Sequence, residues 1–280
     1  MNLFVTGASG FVGTNLLNNK NFLKKFSKNY CLTRKKKINN KNNIIWVKGN
    51  LKSSLKKYLK KSDCLLHLAA HSANKPYDNL ENCFKWNCSV SVNFIDKAYK
   101  SGVRKFMILG SYFEYGFAGQ VHKKKKISSR SFCLPMSSYA LSKSFFFQTL
   151  FSWSLGKNIS IKYLRLPHVF GEGELKSRLW PQIKANKINH IKLDNPKFMT
   201  NFININKLKK KIKSHLIIKK FKKNYFEIKN ITDKDMSIHN FAISEKKKLK
   251  SDVKILKSKK SNYLFQFLLP KNDNFLIKIK

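Results

Sequence analysis

The chain has 280 residues, with 58 Lys plus Arg against 14 Asp plus Glu and a formal net charge of +44. A hydrophobic content of 42% with 13% aromatics excludes a disordered or low-complexity chain and is enough for a packed core. The charge is nearly all lysine, spread among abundant Asn, Ile and Phe. It reads as compositional bias on solvated faces, so nucleic acid is not expected as a partner, although such a field draws in doubly charged small substrates.

In chain order, "NLFV" at 2–5 predicts a buried strand, and the apolar spacing over 11–26 predicts a helix. "YCLT" at 30–33 and "IIWV" at 44–47 predict strands on either side of the polar loop "KKKINNKNN". A helix over 51–60 precedes the strand "CLLHLA" at 64–69. A long helix over 80–100 precedes "KFMILG" at 105–110. Helices over 138–155 and 177–187, with the strand "ISIKYLRL" at 159–166 between them, continue the alternation. Repeated β-α-β units with short apolar strands predict an α/β fold, a Rossmann-type doubly wound parallel sheet.

Five cysteines (Cys31, Cys64, Cys83, Cys88 and Cys133) lack paired CxxC spacing and read as reduced thiols, with no metal site expected. No apolar run approaches the roughly 20 residues of a membrane span. The first strand begins at residue 2, leaving no room for a signal peptide, so a cytoplasmic protein is expected.

Gly7, Gly10 and Gly13 in "TGASGFVG" follow the first strand and open a helix. There Gly7 permits the turn, Gly10 lets backbone approach a pyrophosphate, and Gly13 lets helix and strand pack closely. Dinucleotide binding is therefore expected at Gly7, Gly10, Phe11, Val12 and Gly13. About twenty residues on, Thr33 and Arg34 stand where an NAD enzyme offers a carboxylate. The Arg34 guanidinium suits a 2′-phosphate, so NADP is the expected cofactor and NAD the alternative. Tyr139 and Lys143 in "YALSK" lie four apart on one helix face, where the ammonium would bring the phenol toward a usable pKa. Ser111 ends the strand "KFMILGS", on the crevice side of a parallel sheet.

"TGASGFVG", "DCLLHLAAHSA", "WNCSVSVNFIDKA", "LGSYFEYG", "YALSK" and "LRLPHVFGEGE" occur in the order seen in extended short-chain dehydrogenases/reductases. The chain resembles the nucleotide-sugar epimerase, dehydratase and 4-ketoreductase group, strongly over 1–175 and more weakly beyond. The resemblance implies catalytic roles for Ser111, Tyr139 and Lys143, with Lys143 also holding the nicotinamide ribose. It adds Asn50, Leu51, Asp63, Leu68, Ala69, Ala70, Asn87 and Leu166 on the cofactor side. His71, Ser111, Tyr112, Phe113, His168 and Arg178 are expected at the substrate, with Glu172 to Trp180 bordering it. The division implied is a dinucleotide-binding domain over 1–170 and a short, Lys-rich, partly interleaved substrate lobe over 171–280.

Departures from the group narrow the reaction. Its 4,6-dehydratases carry an Asp-Glu pair after the Ser/Thr, where this chain has Tyr112 and Phe113; Glu114 is one place late and should point away. Fucose-type epimerase-reductases place Cys and His where Phe113 and Gly173 stand. What remains is reduction of a nucleotide-linked 4-keto-6-deoxy sugar for surface polysaccharide, with 4-epimerisation as the alternative. A cofactor-binding scaffold or nucleic-acid binder is the reading from another class. The expected partner is a nucleotide sugar, and a homodimer is left open. Thr200, Asn201 and Phe202 replace an Arg-Asp-Phe-type motif, which puts substrate affinity in question.

Overall fold

The computed structural model describes residues 1–34, 43–123, 125–216, 221–258 and 266–280. Six strands come first: β1 (Asn2–Thr6), β2 (Lys28–Thr33), β3 (Ile44–Lys48), β4 (Cys64–His67), β5 (Lys105–Ser111) and β6 (Ser160–Leu166). They lie side by side in the order β3-β2-β1-β4-β5-β6, all parallel. The order reverses between β1 and β4, which opens a crevice at the carboxyl ends of those strands.

Beyond them come β7 (His168–Phe170), β8 (His190–Leu193), β9 (Met199–Asn204), β10 (Tyr225–Asn230), β11 (Lys234–Ser237), β12 (Lys254–Lys257), β13 (Phe267–Leu268) and β14 (Asn274–Lys278). β10 adds to β6 in parallel and β14 closes that edge antiparallel, making eight strands in the large sheet. β9 pairs with β7, β11 and β13 in a second sheet, and β8 pairs with β12.

The strands are apolar because both faces of the large sheet are covered. Leu3, Val5, Leu66, Met107 and Leu164 pack against Leu16 and Leu17 of helix Phe11–Leu17 and Leu208 and Ile212 of helix Ile205–His215. Phe4, Leu65, Phe106, Ile108 and Ile161 pack on the other face, against helices Val90–Lys100 and Ser138–Ser154.

Some elements are shorter than their periodicity predicts. The helix expected over 11–26 ends at Leu17, and Asn19 caps a new turn, Lys20–Leu23, by accepting a hydrogen bond from Phe22 N at 3.1 Å. Phe22, Leu23 and Phe26 still enter the same core, which is why the apolar spacing runs through the break. The helix expected over 51–60 contracts to Lys56–Leu59, and the strand expected to Ala69 ends at His67. The 80–100 helix is continuous but holds a π-turn, Lys85–Ser89, between Leu80–Phe84 and Val90–Lys100.

Candidate active site

Gly7 has φ of +65°, and a Cβ there would stand 2.6 Å from Ala69 N; one at Gly13 would stand 2.4 Å from the Gly7 carbonyl oxygen. Neither position has room for a side chain, so β1, the turn and the helix press together at the sheet's switch point. Gly10 caps helix Phe11–Leu17 without a side-chain hydrogen bond, leaving the first amides for an anion. Above this turn opens a cavity of about 750 Å³. Gly7, Gly10, Thr33, Arg34, Asn50, Leu51, Leu68, Ala69, Ala70 and His71 line it, together with Ser9, Leu32, Gly49, Trp86 and Ser91. The glycine-floored cradle, with Arg34 on its wall, fits a dinucleotide. Phe11 and Val12 pack partly buried on the core below the groove, and Leu166 belongs to the same cluster.

Ser111 closes β5 and is 6% exposed; Tyr139 and Lys143, on helix Ser138–Ser154, are 7% and 2% exposed. The Tyr139 hydroxyl lies near enough to the Ser111 side chain for that hydroxyl to favour its ionised form. The Tyr77 ring stacks on Tyr139 with centroids 5.8 Å apart and planes 16° apart. Lys143 Nζ donates to the Leu109 carbonyl at 2.8 Å, and burial brings its pKa down to about 8. The expectation that Lys143 lowers the Tyr139 pKa is not met here. Burial pushes that phenol well above its ordinary value, the nearby Glu114 charge adds to the rise, and the Ser111 hydroxyl offsets only part of it. The π-turn carries Asn87, which accepts from His71 N at 2.7 Å and donates to the His71 carbonyl and to Ser142 Oγ, both at 3.0 Å. Asn87 thus clamps the loop after β4 to helix Ser138–Ser154.

A family model described as the NAD dependent epimerase/dehydratase family matches residues 3–200. This chain belongs to that family. Among solved structures it is similar to the protein MoeE5 in complex with UDP-glucuronic acid and NAD, with a TM-score of 0.81 and 15% identity over 98% of this chain and 90% of that one. A UDP-N-acetylglucosamine 4-epimerase from Methanobrevibacter ruminantium M1 aligns with a TM-score of 0.79 and 21% identity over 97% and 89% of the two chains. A dTDP-glucose 4,6-dehydratase from Bacillus anthracis aligns with a TM-score of 0.77 and 15% identity over 97% and 88%. At such identities the likeness shows the fold. No curated protein matches the chain in a sequence comparison.

Elsewhere in this epimerase/dehydratase family member, two expected site residues lie away from the groove. Tyr112 is 2% exposed, and its hydroxyl donates to the Ile231 carbonyl inside a core cluster, so it is not free to contact a substrate. Asp63 precedes β4, at the amino ends of the central strands and so opposite the crevice, where its carboxylate accepts Asn2 N at 2.7 Å. Glu114 points away from the groove, as expected. It is fully buried, accepting from Ser111 N and Tyr163 OH at 2.7 Å each and from Arg165 Nε at 2.8 Å. Phe113 meets the His168 ring edge-on at 5.2 Å, and His168 also stacks on Phe202 at 5.3 Å. Arg178 is held by Glu174 at 3.1 Å, and its charge reaches Tyr77, Tyr139 and His168. The segment before it docks on the glycine-turn helix, where Asn15 Nδ2 donates to the Glu172 carbonyl at 2.9 Å.

Sequence reasoning passed over Tyr77, Asp78, Trp86 and Ser142. Tyr77 and Asp78 lie in a polar stretch that reads as a connector, yet Asp78 Oδ2 lies 2.7 Å from His71 Nε2, and the Asp78 carbonyl accepts Ser138 Oγ at 2.7 Å. That His71 hydrogen bond is the main cause holding the Asp78 carboxyl below its ordinary range. Trp86 and Ser142 each stand one place before a recognised residue.

His67 lies beneath the site, 1% exposed, with Nδ1 2.9 Å from Thr6 Oγ1. Burial, with the Lys143 charge adding to it, lowers its pKa from 6.5 to about 3. Below pH 6.5 the unfolded chain therefore takes up a proton that the folded chain refuses, so stability falls as pH drops toward 3. Urea midpoints should fall between pH 7 and pH 5, and fall less in His67→Gln. An equal fall in both proteins would assign the acid sensitivity elsewhere.

Proposed function

We propose that the chain uses NADPH to reduce the ketone of a nucleotide-linked 4-keto-6-deoxy sugar, a step in surface polysaccharide synthesis. The observation that carries the reading is the pairing of Ser111 with a Tyr139 whose burial keeps its phenol protonated. Reduction needs a loaded acid at the sugar oxygen, and a raised phenol pKa supplies one at neutral pH. A bound nicotinamide supplies the hydride. As carbon accepts it, the C=O π pair takes the Tyr139 proton and becomes a hydroxyl, while Ser111 holds the oxygen. Lys143 holds the ribose, and the Ser111 hydroxyl and the Arg178 charge favour the phenolate left on Tyr139. Elimination of water would need an acid and a base beside Ser111, and Tyr112 and Phe113 provide neither.

A second reading, 4-epimerisation, is favoured by the likeness to the M. ruminantium 4-epimerase. Cofactor stoichiometry separates the two. A reductase consumes one NADPH per sugar, whereas an epimerase turns over with a bound cofactor that is not consumed. With a panel of nucleotide-linked 4-keto-6-deoxy sugars we expect stoichiometric NADPH loss and a C4 hydroxyl in the product by NMR. Inversion at C4 of nucleotide sugars that already carry a C4 hydroxyl, without cofactor loss, would favour the epimerase.

Support for NADPH over NAD comes from Arg34 on the cavity wall beside Thr33; Lys35 to Lys37 lie outside the described residues. NAD is what the MoeE5 complex holds. A charge-assisted hydrogen bond of about 1.5–3 kcal/mol makes the expected loss of NADPH preference in Arg34→Ala roughly 10–100-fold. Equal use of both cofactors by the wild type would remove this part of the proposal.

A further inference from the structure

Along the extended segment before the catalytic helix, Phe132, Leu134 and Met136 are 51%, 43% and 50% exposed. Residues two apart share one face of an extended chain. Cys133, between them, packs inward, with its sulfur accepting Arg165 Nη2 at 3.7 Å. Beside this segment runs helix Ala118–His122, where Phe117 and Val121, four apart, are 38% and 55% exposed. The two segments are stitched together. Phe117 N donates to the Leu134 carbonyl at 2.7 Å, Leu134 N donates to the Tyr115 carbonyl at 3.0 Å, and the His122 and Phe132 rings are 6.0 Å apart. The five apolar side chains therefore form one outward patch.

Basic residues accompany the patch along the chain. Residues 115–138 contain no Asp or Glu, whereas Lys123 to Lys126 and Arg130 follow one another along the chain. Lys123, Lys125 and Arg130 are exposed; Lys126 pairs with Asp235 at 2.9 Å. Exposed apolar side chains with exposed lysines close by in the chain match an anionic bilayer surface, where the former enter the acyl boundary and the latter meet headgroup phosphates. A second copy matches poorly, because each chain carries +44. We infer that this patch docks the protein on an anionic lipid surface. Docking there is peripheral: among the described residues no helix is long and apolar enough to cross a membrane.

The test is co-sedimentation with vesicles of phosphatidylglycerol and phosphatidylcholine, or of phosphatidylcholine alone. Salt at about 0.3 M keeps the Debye length under ~8 Å, so diffuse attraction by the charged chain is screened. The wild type is expected to bind the anionic vesicles at least tenfold better than the neutral ones. Phe132→Ser/Met136→Ser, altered only at half-exposed positions, is expected to lose at least tenfold of that binding while keeping wild-type circular dichroism and turnover. Three results would overturn the inference: equal binding by variant and wild type, binding to neither vesicle, or a dimer in sedimentation velocity that the double variant dissolves.

Discussion

Replacing Tyr139 by Phe is expected to lower kcat by about 10²–10⁴ while leaving cofactor affinity nearly unchanged. The variant removes one oxygen. The ring still stacks on Tyr77 and still fills a site 7% exposed, so fold and groove persist. What disappears is the hydroxyl proposed as proton donor to the sugar oxygen, beside Ser111. Lys143→Ala should instead damage both cofactor affinity and turnover, since the ammonium lies buried between the Leu109 carbonyl and the Phe146 ring, one helical turn from Tyr139. Rate measured at saturating cofactor, alongside cofactor titration by fluorescence, separates the two roles. Equal losses of rate and cofactor affinity in Tyr139→Phe would show that the hydroxyl binds cofactor and is not the acid.

Glu114→Ala is expected to destabilise the fold by about 3–5 kcal/mol, because it leaves a buried guanidinium uncompensated. Arg165 is 1% exposed, and its remaining contacts are neutral: the Tyr115 hydroxyl at 2.8 Å, the Ser129 carbonyl at 3.2 Å and Cys133. The substitution also strips Ser111 N and Tyr163 OH of their acceptor. Ser111 is held by this carboxylate through a capping box, so the loss should reach catalysis too. Glu114→Gln keeps an acceptor and should lie between wild type and Ala in urea midpoint. A shift below about 1 kcal/mol for Glu114→Ala would mean that water reaches Arg165 and solvates it.

Glu114 also marks how far the sequence could be read. That it points away from the groove was legible from its place in "SYFE", one position later than the group's acidic pair. The same four residues spell a capping box, but its structural weight depends on Tyr163 and Arg165, about 50 positions away, and no local pattern announces that pairing. The parallel sheet was legible because fully buried strands are continuous apolar runs; its order β3-β2-β1-β4-β5-β6 is set by contacts between strands and was not. The glycine turn was legible because backbone packed at 2.4 Å to a would-be Cβ admits only glycine. The helix break at Asn19 was not, because Phe22 and Phe26 keep the apolar spacing through it. Tyr77 and Asp78 were missed for the opposite reason: their roles come from contacts with Tyr139, Ser138 and His71, made by a segment without periodicity. The rise in the Tyr139 pKa was equally invisible, since it comes from burial and not from the four-residue spacing to Lys143.

On the proposed reading, Ser111, Tyr139 and Lys143 reduce a sugar ketone at C4 with hydride from a nicotinamide held over the glycine turn. The most direct measurement is transfer of label from NADPH carrying deuterium at nicotinamide C4 to a nucleotide-linked 4-keto-6-deoxy sugar, followed by NMR and mass spectrometry of the sugar. The expected result is one deuterium at C4 of the product per NADPH oxidised, falling by about 10²–10⁴ in rate with Tyr139→Phe. Cofactor left unoxidised with no deuterium in the sugar, or deuterium at a carbon other than C4, would contradict it.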